Sequence, residues 1–343
     1  MIPSKGSIYE WLKAVGISFV CVLFLRTCFF EISPVSSPSM DKSLLTGDFM
    51  LINKLSYGPR MPKTILSLPF VNQRFYSDLI SLPYMRLFGS PDIERNDIVV
   101  FNYPQENEHP VDHRTYFVKR CVALPGDSFK IVDGLVYVNN KLSDDVAKLQ
   151  FNYHVKSDTT LDSLFIAKYE LYEGGQISDN NDYSFTLTQA LVDTLKSKTF
   201  VGLVEKNNEK VGMWDEFVFP YNANYKWNVD NYGPIKIPAE GDTVKLDTLN
   251  LCFYERIISV YEGNTFELKG DSILINGVVT TSYVIKQNYY FMMGDNRHNS
   301  QDSRHWGFVP EDHIIGKATR ILYSNDKVNK TGIRWGRIFK SIE

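Results

Sequence analysis

The octapeptide Tyr116-Phe117-Val118-Lys119-Arg120-Cys121-Val122-Ala123 decides how the chain folds and raises the question of what it does. Its aromatic and β-branched residues spell a strand, and the Leu124-Pro125-Gly126-Asp127 that follows is a turn by its Pro-Gly core. Two basic residues interrupt the apolar run. A lysine in a strand ordinarily faces water, but successive side chains alternate between faces. If Lys119 points inward, Arg120 points the other way and is free to meet a carboxylate.

Working outward, the same β character recurs. Upstream, Phe49 to Ile52 and Asn96 to Pro104 are short β runs bounded by turn residues. Downstream, Phe129 to Val138 and the segment from Lys141 carry Asp-Gly and Asn-Asn hairpin turns. Strands return between 226 and 290, with turns at Gly233-Pro234, Glu240-Gly241-Asp242 and Asn276-Gly277. Residues 59–95, rich in proline and aromatics, read as a long loop or surface insertion. From about 145 to 225 the pattern loosens around one helix-like piece (186–197), an inserted substructure. The chain is mainly β.

Composition narrows the function. The 343 residues are 43% hydrophobic and 14% aromatic, enough for a sizeable core, and the net charge of −3 comes with no Lys/Arg block, which argues against nucleic acid as a partner. Cysteines at 21, 28, 121 and 252 have no Cys-x-x-Cys spacing, so neither a zinc site nor a disulfide framework is signalled. Cys121 and Cys252 can pair only if the fold brings them together. The six histidines, at 109, 113, 154, 298, 305 and 313, form no His-Glu-x-x-His arrangement, so no metal is expected.

Trp11 to Phe30 is an apolar stretch whose helical length matches a hydrocarbon core about 30 Å thick. Its strictly uncharged part, Ala14 to Leu25, has the length of a signal-peptide core, but the Arg-Thr-Cys-Phe-Phe-Glu that follows lacks the small residues of a cleavage site. A retained anchor is the better reading, with Lys13 and Arg26 reaching toward the two interfaces. Lys5 and Lys13 on its N-terminal side, against Glu31 and Asp41 beyond it, favour the N-terminus in the cytoplasm and the remainder outside.

Just beyond that anchor, Ser36-Ser37-Pro38-Ser39-Met40-Asp41-Lys42-Ser43-Leu44 presents Ser39 as a candidate nucleophile. A serine hydroxyl needs a base in reach and donors for the oxyanion it creates. One base is histidine: His298 or His305 with Asp295 or Asp302, all in the polar stretch Met292 to Pro310, would complete a triad. The other is Lys119, because burial disfavours an ammonium and lowers the pKa of a fully enclosed lysine by as much as about 3–5. A hydrogen-bonding neighbour such as Ser300 could hold such an amine in place.

Three segments together resemble the conserved boxes of bacterial type I signal peptidases. They are Ser37-x-Ser39-Met40 with Leu44, Phe117-Val118-Lys119-Arg120 with Leu124-Pro125-Gly126-Asp127, and Gly294-Asp295-Asn296-Arg297-x-Asn299-Ser300-x-Asp302-Ser303-Arg304. Their order, directly after an anchor, is that of the family. The uninterrupted Lys54-Leu55-Ser56-Tyr57-Gly58-Pro59-Arg60 and the enlarged loops resemble its Bacteroidetes-type branch.

The resemblance implies a coiled antiparallel β-sheet catalytic core with a smaller β-rich insertion, preceded by one transmembrane helix. It divides the chain into an anchor (1–31), a first core part (32–135), an inserted region (136–285), a second core part (286–325) and a tail (326–343). It implies a serine endopeptidase that cuts exported preproteins after Ala-x-Ala-like sites at the periplasmic face of the cytoplasmic membrane. It would be a monomer in contact with lipid, without cofactor.

Ser39 would be the nucleophile and Lys119 the general base, with the Ser39 N–H and Ser37 hydroxyl as the oxyanion hole. Ser300 would orient the lysine, and Asp302 with Arg304 would brace the wall. Met40, Leu44, Phe117 and Val118 would line shallow pockets for small side chains. Pro38 and His298 depart from residues common in the family, glycine and aspartate respectively. Two readings compete: a hydrolase with a histidine base, and a non-catalytic anchored β module that binds exported chains.

Overall fold

The computed structural model describes residues 5–67, 76–87, 92–143, 148–326 and 332–342. Helix α1 (Lys5–Cys28) leads into a curled antiparallel half-barrel built from β1 (Phe30–Pro34), β2 (Asp48–Asn53), β3 (Ile98–Asn102), β4 (Tyr116–Ala123), β5 (Tyr289–Met293), β6 (Val309–Pro310) and β7 (Ile314–Asp326). The strand order is β1-β2-β7-β3-β4-β5-β6, so the long last strand is laid between the first two hairpin partners and the β3–β4 pair. Register shifts of β7 against β2 and β3 mark bulges, which bend a strand and increase its twist, and here let thirteen residues curl around the core.

The octapeptide is β4, and its burial follows from the sheet on both sides. β3 and β5 flank it, and Lys119 lies opposite Val99 in the register. Ile98 to Phe101, Cys121 and Met292 are all buried, so β4 has no solvent face in its second half. The lysine ends inside the protein.

The inserted region is two structures. A four-stranded sheet (Gly174–Ser178, Asp182–Thr188, Gln150–Ser157, Val201–Lys206) with helix Gln189–Lys196 closes its own core around Val155, Phe185, Leu187 and Leu195. The helix-like 186–197 segment is helix from Gln189 to Lys196, preceded by the last residues of a strand that ends at Thr188. A second group, the sheet of Ser128–Val132, Leu135–Val138, Lys141–Leu142 and Tyr232–Lys236 with the hairpins near 243–284, shares a core with β5 through Phe129, Tyr232 and Phe291.

Within 59–95 the described residues are more ordered than a loop: Thr64–Ser67 pairs with Tyr76–Ser81, while 68–75 and 88–91 lie outside the described residues. All four cysteines are free thiols, so Cys121 in β4 and Cys252 do not pair.

From Ile8 to Cys28, α1 is long and apolar enough to cross a membrane, and none of that span is buried against the protein. Arg26 pairs with Glu31 at 2.9 Å, and Lys54 reaches the same carboxylate at 2.8 Å and the Arg26 carbonyl at 2.9 Å. This cluster ties the end of the anchor to β1 and β2. Arg337 in the tail donates to Asp48 at 2.6 Å and to the Ser43 carbonyl at 3.1 Å, docking the tail on the edge of β2 beside the Ser39 segment.

Burial alone would raise the Glu31 carboxyl, but Lys54 and Arg26 outweigh it and hold the group below its usual 4.5. Its contribution is therefore complete above the unfolded pKa and is lost as pH falls through the lower folded one. Replacing Glu31 by Gln is expected to cost about 2 kcal/mol near neutral pH, a few degrees in Tm in detergent. The difference from the parent chain should shrink below about pH 4, because the parent carboxyl is then being protonated as well.

Candidate active site

Ser39 occupies a 3-10 turn, Pro38–Met40, entered from an extended Ser37 and closed by the Asp41 N–H donating to the Pro38 carbonyl at 2.9 Å. Proline suits the first position of such a turn, since its φ is preset and its missing N–H has no partner to lose. The departure at position 38 thus stiffens the turn and leaves the Ser39 N–H intact. The turn runs on through Leu44, whose N–H donates to the Met40 carbonyl at 2.7 Å.

Lys119 Nζ and Ser39 Oγ are hydrogen-bonded to each other, across eighty residues of sequence. Both are buried, at 3% and 5% exposure, and Ser37 Oγ stands 3.2 Å from Ser39 Oγ. Burial pushes the Lys119 amine down to about 8, against the pull of Asp302 and Asp295 and with some help from Arg304. Neither carboxylate is free to hold the ammonium.

Asp302 is bound side-on by Arg304, through Nε at 2.9 Å and Nη2 at 2.8 Å, and also accepts the Gly294 N–H at 3.1 Å. Burial raises its carboxyl, but Arg304 outweighs that and keeps it well below the usual carboxylate range. Asp295 is bound the same way by Arg120, at 2.7 and 2.8 Å, and accepts from the Ser43 hydroxyl at 2.6 Å. Arg120 therefore does meet a carboxylate on the opposite side of β4. Two bidentate arginine–carboxylate pairs, among the strongest polar contacts available, frame an amine that has been left to a hydroxyl.

Gly294 explains the closeness of the walls. A Cβ there would lie 2.5 Å from the Ser39 carbonyl oxygen and 2.3 Å from Ser300 Oγ. Ser300 thus packs on the same glycine as the serine turn, while its hydroxyl donates to the Gln301 carbonyl at 3.4 Å and is not turned to Lys119. Of the four proposed pocket residues, Met40 and Leu44 are wholly buried, packed with Val118. Phe117 and Val118 keep part of their surface, and Phe117 is stacked on Tyr103 with Trp306 against its edge.

The histidine alternative finds no support in this geometry. His298 Nδ1 accepts from the Asn152 N–H at 3.0 Å and its Nε2 faces Asp230 at 2.8 Å, both in the inserted region. In the neutral ring the proton therefore sits on Nε2 and is donated to Asp230. His305 Nδ1 faces the Phe217 carbonyl. Neither ring is bonded to Ser39. His298 instead fastens the insertion to the third box, a local hydrogen-bonding role.

That fastening is what sequence reading missed. The Gln150 N–H donates to the Asp295 carbonyl and the Arg297 N–H to the Gln150 carbonyl, both at 2.9 Å. Glu173 accepts from the side-chain amides of Asn296 and Asn299. No motif in 145–225 announces Gln150 or Glu173, and none beyond it announces Asp230. The available signal was the surplus of amide and histidine donors in the 294–300 box, more than that box satisfies by itself.

A serine and an amine bonded together on a curled β-sheet, behind a membrane-length helix, define a class: a membrane-tethered β protein organised around a serine–lysine pair. A profile of the family described as signal peptidase, peptidase S26, matches residues 8–211 and 235–323. The chain belongs to that family. It is 28% identical over 344 residues to signal peptidase I of Buchnera aphidicola subsp. Schizaphis graminum, covering 98% of this chain and 83% of that one. It is 28% identical over 306 residues to signal peptidase I of Aquifex aeolicus (89% and 80%), and 24% over 338 residues to that of Haemophilus influenzae (97% and 76%).

Gly294→Ala tests the tight wall. The added methyl must displace the Ser39 carbonyl or Ser300, so peptide-bond cleavage is expected to fall by at least about tenfold, as a misplacement near 1 Å does. The far-ultraviolet circular dichroism spectrum should be unchanged.

Proposed function

We propose that the chain removes signal peptides from exported preproteins, cutting after Ala-x-Ala-like sites with Ser39 as nucleophile and Lys119 as general base. The observation that carries this reading is the buried Lys119–Ser39 hydrogen bond. An amine whose pKa lies near 8 is neutral in a useful fraction of molecules at physiological pH.

Neutral Nζ takes the Ser39 proton as Oγ attacks the scissile carbonyl, and the developing oxyanion accepts from the Ser39 N–H and the Ser37 hydroxyl. The lysine then gives its proton to the departing amine, leaving the signal peptide as an ester on Ser39. Water attacks that ester with the same amine as base, and the serine is regenerated. Asp302 and Arg304 brace the wall behind the amine. Ser300, by turning from Gln301, steadies the amine during turnover.

The preprotein lies extended against strand edges by β-addition, its small side chains entering pockets lined by Phe117 and Val118 and floored by Met40 and Leu44. Helix α1 spans the cytoplasmic membrane with its N-terminus inside, and the β domain works at the periplasmic face as a monomer. Exposed Leu79, Trp335 and Phe339 are suited to lipid contact.

Cleavage of a preprotein carrying an Ala-x-Ala site, in detergent, tests the reading. Ser39→Ala and Lys119→Ala should each lower kcat by at least about a thousandfold while remaining folded, and His305→Ala should not. For the parent chain kcat/KM should drop tenfold per pH unit below about pH 8, as the amine becomes protonated. Full activity in Lys119→Ala would overturn it.

A further inference from the structure

We propose that Glu173, brought to the site by the inserted sheet, is a positioning residue for the oxyanion. Through the side-chain amide of Asn296 it sets the plane of the Pro38–Ser39 peptide and hence the direction of the Ser39 N–H. This rests on the reading of that N–H as an oxyanion donor. In a planar trans peptide the carbonyl of Pro38 and the N–H of Ser39 point in opposite directions. Whatever fixes the one fixes the other.

Asn296 holds the two carbonyls that flank Ser39, one in that peptide and one in the next. Its backbone N–H donates to the Ser39 carbonyl at 3.1 Å and its Nδ2 to the Pro38 carbonyl at 3.4 Å. The same Nδ2 donates to both carboxylate oxygens of Glu173 at 2.8 Å, and Asn299 Nδ2 donates to one of them at 2.6 Å. Because Pro38 and Glu173 offer only acceptors, the amide cannot be flipped. Its Oδ1 is left buried, meeting no donor among the described residues. Proteins tolerate an orphaned buried acceptor where position matters more than local stability.

Glu173 is itself held hard. Its carbonyl accepts the Thr186 N–H at 2.9 Å. The next residue, Gly174, has φ +121°, and a Cβ there would fall 2.0 Å from the Ser184 carbonyl oxygen. Only glycine lets the chain approach the sheet so closely, and that approach delivers the carboxylate to Asn296. A negative charge on a rigid edge orients the Asn296 amide through charge-assisted bonds, and the amide orients the serine turn.

The test is the kinetics of preprotein cleavage by the full chain in detergent, with kcat and KM separated and Tm measured alongside. Glu173→Ala should lower kcat by about tenfold, less than the loss of an oxyanion donor itself, with KM within about twofold. Glu173→Gln, which keeps one acceptor oxygen, should recover part of that loss. The acid limb of kcat/KM near pH 8, which reports the amine, should not move in either variant. Asn296→Ala and the double variant with Glu173→Ala should lose about the same amount, since the two residues act in series.

Wild-type kcat in Glu173→Ala, a loss confined to KM, or losses at 173 and 296 that simply add would overturn the inference. If Glu173→Ala does not fold, Glu173→Gln decides alone: a lower kcat at constant KM supports it, and wild-type kcat overturns it. Retained cleavage in Ser39→Ala would instead remove the underlying reading of the site.

Discussion

An amine kept out of water, next to a hydroxyl and away from any free carboxylate, is the constraint on which the rest of the structure depends. Asp302 and Asp295 both pull electrostatically on Lys119, and an ammonium paired with either would stay charged. Arg304 and Arg120 remove that option by saturating Asp302 and Asp295 with two bonds each. Arg304 in addition places a positive charge near the amine, which works in the same direction as burial. The unfolded chain holds the lysine proton up to about 10.5 and the folded one only to about 8, so the unfolded state binds more protons between those values. Stability therefore rises with pH across that window, and below it the buried ammonium costs about 3 kcal/mol. The fold sacrifices that stability for an amine that is partly neutral near physiological pH.

Three parts of the chain meet to maintain this arrangement. The half-barrel supplies Lys119 from β4, the segment beyond the anchor supplies Ser39, and the 294–304 box supplies both aspartates and Gly294. The box is in turn stitched to the inserted sheet through Gln150, Glu173 and His298. At the other end Glu31 joins Arg26 and Lys54, so the apolar helix and the first sheet hairpin are pinned together. The serine turn is thereby fixed from the anchor side by β1 and from the far side by the box, the insertion and Arg337.

Much of this was legible in the sequence, and the reason is local. The alternation of β4 forces Lys119 and Arg120 to opposite faces, so one basic residue inside implied a carboxylate partner for the other. The apolar helix, the turns and the β runs are short-range patterns. The three boxes identify the family whatever the distances between them. Contacts between distant surfaces were not legible. Nothing in the 145–225 segment showed that Glu173 would enter the site, and nothing around Lys54 showed that it would join Arg26 at Glu31. Ser300 illustrates the same limit: the direction of its hydroxyl is set by carbonyls that only the folded chain supplies. Arg60 belongs here too, donating to the Asp312 carbonyl and the Asn102 side chain from a stretch recognisable only as a family mark.

The most direct measurement is the titration of the Lys119 amine itself, in folded protein carrying isotope-labelled lysine, followed by nuclear magnetic resonance in detergent. A midpoint near 8 is expected. A midpoint at the ordinary value near 10.5 would contradict the dry, unpaired amine from which the rest follows.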